Sequence, residues 1–279
     1  MKRVGMIPKK AALLALVAVL AVSIMLSGCS GGAPQISGLK YVSSFEGGHK
    51  YLAGKLDVLL LSRTYNEMGR QYGGLMKEEM HEYSAYIDKM LARPDVAREF
   101  TDKLKANPLQ KYPARFRQIV NGMSETSGHS ANLGTLSTEV ASTRPNMPQI
   151  CLVCDKNTGI SYELTSTDYR KAPPTAEGLV VQTNDFVDPY WGETESNSAT
   201  SDQRYKNMVS LANQNKGKID VATMKKMVST PMSEGGPFRP GETVAKQVFV
   251  PATFEYWVAV PNYQEWVQVP LKALFENCR

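Results

Sequence analysis

From Met68 onward, apolar residues recur at steps of four, four, four, three, four and four: Met68, Tyr72, Met76, Met80, Tyr83, Ile87 and Leu91. That period is helical, and it draws one apolar stripe along about 25 residues, best used as core packing. Thr64 and Glu67 stand just ahead of it at capping-box spacing, where each side chain can satisfy a backbone N–H of the first turn. Gly69, Gly73 and Gly74 each cost a helix about 1 kcal/mol. Their expected use is the close approach of another backbone.

Before this helix, "YLAGKLDVLLLSR" (51–63) reads as one or two strands. After it, 94–126 reads as helical, interrupted by Pro108 and Pro113. Residues 126–148 are rich in Ser, Thr, Asn, Gly and Pro and read as a loop. Strands are expected at about 149–155, 160–166 and 178–184. A polar loop at 192–202 then leads into a helix over about 202–215, stopped at Gly217. Asp220 caps a short helix to about Ser229. The alternating "QVFVPATFEYWVAVPNYQEWVQVPL" closes the chain as strand, turn and strand. Helices grouped between runs of strands make an α+β or layered α/β chain.

The first 28 residues break this pattern. Lys2, Arg3, Lys9 and Lys10 precede 18 residues without a charge, and the run ends at "LSGC". A plain secretory leader is cut after small residues. Here a cysteine, Cys29, stands where a bacterial lipoprotein is cut and acylated. Residues 1–28 are therefore read as a lipoprotein signal peptide and 29–45 as a flexible tether, with "SGGAPQISG" setting its character. The alternative is an uncleaved anchor, since 18 apolar residues just span a bilayer. Either reading puts the rest of the chain on the extracytoplasmic face of the cell membrane. Without the leader's four cations, 32 basic residues fall to 28 against 27 acidic ones. That balance gives no basic stripe and no expectation of nucleic acid.

Cys151, Cys154 and Cys278 remain, an odd number for a disulfide framework. Cys151 and Cys154 are spaced like a redox or zinc pair, but lie in a predicted strand, where residues three apart face opposite ways. They read as buried small hydrophobes. His49, His81 and His129 are scattered, without metal-ligand spacing, and no metal or cofactor is expected. The stretch "GLVVQTNDFVDPYWG" (178–192) runs from apolar residues into Thr183-Asn184-Asp185, as a buried strand delivers polar groups to a site.

Three stretches carry a family resemblance. "LLLSRTYNEMGRQYGGLMKEEM", "ICLVCDKNTGISYELTSTDYRKAPPTAEGLVVQTNDF" and "SDQRYKNMVSLANQNKGKIDVATMKKMVSTP" with the closing "TFEYWVAVPNYQEWVQVPLKALF" resemble, in order and spacing, the isopenicillin-N acyltransferase family of N-terminal-nucleophile hydrolases. The resemblance covers most of 52–275. It implies a layered αββα fold for 46–279 and chemistry on amide-linked acyl groups. In that family a processed N-terminal cysteine attacks, with its own α-amino group as base. Asn184 matches the family's oxyanion donor, and Arg204 a pocket arginine that holds a carboxylate or positions the nucleophile. Asp185 stands where many members have histidine, and no role is assigned to it.

The chain departs from the family in one respect. Members carry Gly-Cys-Thr or Gly-Cys-Ser between the first helices and the "ICLVCD" hairpin. Here the sole Gly-Cys-Ser is at Cys29, ahead of the opening strand. An internal segment is thus missing near 134–148, either from the protein or from the sequence as written. The nucleophile is unassigned, and the fold is expected to be incomplete. The expectation is an extracytoplasmic relative of these enzymes, impaired in catalysis; the alternative is a non-catalytic surface binding lipoprotein.

Overall fold

In the computed structural model, residues 33–94, 97–98, 113–129, 149–154, 159–164, 168–175, 178–191 and 200–277 are described. They form a mixed α+β chain of small antiparallel sheets and helices, divided into two compact units. One lies within Met1–Arg144 and Lys272–Arg279, the other within Pro145–Leu271. Cys29, Cys278, Pro108 and the expected join at 134–148 lie outside the described residues.

The first unit begins with a three-stranded antiparallel meander, β1 (Lys40–Phe45), β2 (Gly48–Ala53) and β3 (Leu56–Leu60). The tether expected over 29–45 is thus shorter, because its last six residues form β1, which pairs with β2 from Lys40↔Leu52 to Phe45↔Gly48 with a register shift between Tyr41 and Ser43. Tyr51 and Ala53 of the central strand are buried. Lys50 on the same strand is buried too, held between Asp57 (3.3 Å) and Glu79. Burial raises the Asp57 pKa, outweighing the opposing pull of Lys50.

Thr64 then caps α1 (Tyr65–Leu75), and both arms of the expected capping box with Glu67 are formed. The single long helix of the apolar stripe is two helices, α1 and α2 (Lys77–Leu91), separated at Met76. The stripe does what it was read to do: Met68, Met76 and Ile87 are buried. Pro113 precedes α3 (Ala114–Ser127), which ends at the left-handed Gly128.

The glycines explain the crossing of α1 and α3. A Cβ on Gly69 would stand 2.1 Å from the Ile119 carbonyl oxygen, and one on Gly73 2.5 Å from that of Met123. Gly122 answers from α3, its Cβ position 2.1 Å from the Asn66 carbonyl oxygen. Gly74 serves a side chain instead, the ring of Phe45. Over the crossing, Arg70 forks both carboxylate oxygens of Glu46 at 2.6 and 2.8 Å and reaches Glu125 at 2.6 Å. Buried Gln71 accepts from Ser62 N and donates to the Glu46 carbonyl, tying α1 to the β1–β2 turn. His81 and His129, far apart in sequence, meet with ring centroids 4.5 Å apart.

The second unit holds two more three-stranded antiparallel sheets. The first is β4 (Gln149–Cys154), β5 (Gly159–Leu164) and β6 (Tyr169–Ala172). Cys151 and Cys154 lie on β4, paired in register with Tyr162 and Gly159. The second is β7 (Lys246–Val250), β8 (Glu255–Val260) and β9 (Gln264–Val269). Between them run α4 (Ser201–Gln214) and α5 (Val221–Ser229), close to their expected bounds; α6 (Leu271–Glu276) follows β9 and, beyond Leu271, belongs to the first unit. Asp220 caps α5 by accepting from Thr223 N at 2.7 Å. Lys225 of α5 lies 3.1 Å from the centre of the Trp257 ring on β8, a cation–π contact between helix and sheet.

Candidate functional site

The stretch from Gly178 to Trp191 is irregular, ending in a single 3₁₀ turn at Pro189–Trp191; no part of it is a strand. The strand expected over 178–184 does not form, and two of its backbone N–H groups bond to side chains instead. Leu179 N donates to the Thr175 hydroxyl and Asn184 N to the Ser201 hydroxyl. Val187 N and Asp188 N both donate to the carboxylate of Glu163.

Glu163, on β5, is wholly buried and organises this loop. One carboxylate oxygen accepts from Gln182 Nε2 (3.2 Å) and Val187 N; the other accepts from Asp188 N (3.2 Å) and the Trp191 indole (2.8 Å). Four donors on a carboxylate are what a buried charge needs in place of water. The consequence is a loop with a fixed path on either side of Asn184.

The other end of the loop is fastened to the start of α4. Ser201, also wholly buried, accepts from Asn184 N at 3.0 Å and donates to the Thr183 hydroxyl at 2.9 Å. One turn along α4, Arg204 Nη2 donates to the Asn184 side-chain oxygen. The two residues singled out from the sequence, twenty positions apart, are therefore in contact. With its oxygen held by a guanidinium, the Asn184 carboxamide has its NH₂ turned the other way.

Arg204 stands among charges of both signs. Its Nε is buried and has no hydrogen-bond partner among the described residues. Burial lowers its pKa first and the nearby guanidinium of Arg239 second, against the opposing carboxylates of Asp185 and Glu242. Arg239 itself pairs with Glu242. Its loop is held to α4 by Asn207, which donates to the Gly236 carbonyl at 2.8 Å and accepts from Gln203 at 2.7 Å. A carboxamide and two guanidiniums supply the donors that a carboxylate or a tetrahedral oxyanion takes.

Sequence reasoning passed over Glu163, Ser201, Asn207 and Arg239. The one signal for Glu163 was an acidic residue inside an apolar strand, "GISYEL"; Arg239 sits in "GGPFRPGE", a loop without period. No group of three or more His, Cys, Asp or Glu side chains among the described residues could hold a metal ion. No described helix is long and apolar enough to cross a membrane. Comparison with protein-family models and with curated proteins finds no match to this chain.

Proposed function

We propose that this chain is a lipid-anchored, extracytoplasmic relative of the cysteine N-terminal-nucleophile hydrolases and acyltransferases, retaining the polar half of an acyl-amide site. Its fold would be the layered αββα arrangement of that family, shortened near 134–148. The observation that carries the reading is the hydrogen bond from Arg204 to Asn184. Sequence resemblance gave these two residues roles in one site, and they touch. Asn184 would donate to the oxyanion or acyl carbonyl, and Arg204 would hold a carboxylate. No Gly-Cys-Thr occurs in the sequence, and its one Gly-Cys-Ser is in the leader junction, so catalysis by this chain is impaired.

The buried Nε of Arg204, without a partner among the described residues, favours a second reading, a non-catalytic surface lipoprotein that binds the same acyl-amide ligands. One experiment separates the two. The processed protein is incubated with a panel of N-acyl amino acids, with and without a thiol-alkylating agent, and binding of the same compounds is followed by calorimetry. Turnover abolished by alkylation supports the enzyme. Binding without turnover, lost in Arg204→Ala, supports the binding protein. Neither binding nor turnover would defeat both. The intact mass of the protein taken from its membrane tests the anchor, with Cys29 expected as the acylated first residue.

A further inference from the structure

The first unit brings together two histidines that share no ligand spacing in the sequence. His81 lies early in α2, and His129 follows Gly128, the left-handed residue at φ 83° that ends α3. His129 N donates to the hydroxyl of buried Ser127 at 3.2 Å, which fixes where the chain leaves that helix. The two rings meet with centroids 4.5 Å apart and planes tilted by 57°, so they are not stacked face to face. His81 is exposed, while Nε2 of His129 is buried and has no hydrogen-bond partner among the described residues. A buried imidazole nitrogen in that state costs the fold free energy unless something binds it.

We infer that His81 and His129 together bind one copper(II) ion, through one nitrogen of each ring, and so clip α2 to the end of α3. The spacing of the rings carries the choice of metal. A metal–nitrogen bond of about 2.0–2.1 Å puts a ring centre about 3.2 Å from the ion. Two such rings have centres about 4.5 Å apart when they meet the ion at a right angle, and about 5.2 Å at the tetrahedral angle. The observed spacing is that of the right angle. This is the tetragonal geometry of copper(II) and nickel(II), not that of zinc, and copper(II) is the tighter of the two in the divalent series. Among the described residues no group of three or more His, Cys, Asp or Glu could hold a metal. The other coordination positions therefore belong to water or to an added ligand, for which exposed His81 leaves the site open. Burial and then His81 hold the His129 imidazole below its ordinary pKa, against the pull of Asp88. A neutral ring is the form that ligates.

The test titrates the full chain with copper(II) chloride in a buffer with glycine as competitor. Pulsed electron paramagnetic resonance then counts the imidazoles bound to the copper. One ion per chain with two imidazoles is expected. Losing even an outer partner of a metal ligand costs about 10–100-fold in affinity, so His81→Gln and His129→Gln are each expected to cost at least about tenfold. Each should leave a single imidazole on whatever copper remains. His49→Gln, on β2, is expected to change neither reading. A single imidazole in the unaltered chain overturns the inference, and that reading needs no variant to fold. Unchanged affinity in both His81→Gln and His129→Gln assigns the copper to other groups and overturns it too, as does an equal loss in His49→Gln.

Discussion

Replacing Glu163 by glutamine exchanges one of its two oxygens for an NH₂ group without changing the shape of the side chain. Each oxygen accepts two hydrogen bonds, so the amide cannot keep all four. The less costly orientation puts the NH₂ at the oxygen facing Gln182 and Val187. Gln182 has a buried side-chain oxygen without a partner among the described residues, and by flipping its own amide it can accept from the new donor. Asp188 N and the Trp191 indole keep their acceptor. Val187 N is left facing an N–H. The loss is one buried amide orphaned, at about 1–3 kcal/mol, plus the charge assistance on the remaining bonds, less the relief of removing a buried charge. About 2–3 kcal/mol is expected for Glu163→Gln. All three tryptophans, Trp191, Trp257 and Trp266, lie in the second unit, so a urea titration followed by tryptophan emission reads that unit alone. A change below about 0.5 kcal/mol, the size of an ordinary surface substitution, would refute the view that Glu163 sets the path of the loop.

Three further outcomes are expected of the first unit, read by far-ultraviolet circular dichroism. Gly69→Ala places a methyl 2.1 Å from the Ile119 carbonyl oxygen and should cost about 3 kcal/mol, the upper end of the usual range for overpacking; a stable variant with unchanged helicity would contradict the crossing described. Thr64→Ala removes one arm of the capping box and should cost about 1 kcal/mol, while Thr64→Asp should largely restore it. Burial holds the pKa of His49 below its ordinary 6.5, and burial together with His81 does the same for His129. The unfolded chain therefore binds more protons than the folded one below that value, so stability is full above pH 6.5 and falls as pH drops through the lowered folded-state pKa. His49→Gln should flatten part of that fall in urea midpoints measured from pH 7 to 5, and an unchanged slope would refute the assignment.

Local chemistry was legible where it carried its own punctuation. Thr64 and Glu67 announced a helix start, Asp220 another, and the alternation in the last third gave β7 and β8. What depended on distant groups was not. The stripe from Met68 to Leu91 keeps its phase across Met76, so periodicity cannot tell one helix from two. Residues 40–45 are exposed or half-buried and show no strict alternation of apolar and polar residues, and only their pairing with β2 makes them a strand. The apolar run before Asn184 looks like a strand because its partners cannot be read from the sequence; in the fold Leu179 N and Asn184 N bond to the hydroxyls of Thr175 and Ser201 instead of to a neighbouring strand. The contact of Arg204 with Asn184 was foreseeable only through resemblance, and Arg239 carried no signal at all.

The helix crossing built on Gly69, Gly73 and Gly122 has a genetic consequence. At Gly69 and Gly122 the atoms that would meet a new methyl are backbone carbonyls of the opposite helix, and no substitution in that helix can trim a carbonyl. A large side chain lost elsewhere in the contact leaves the clash where it was. A screen for intragenic suppressors of Gly69→Ala should therefore return true revertants and changes that shift α3 as a whole, and no compensating partner residue across the contact.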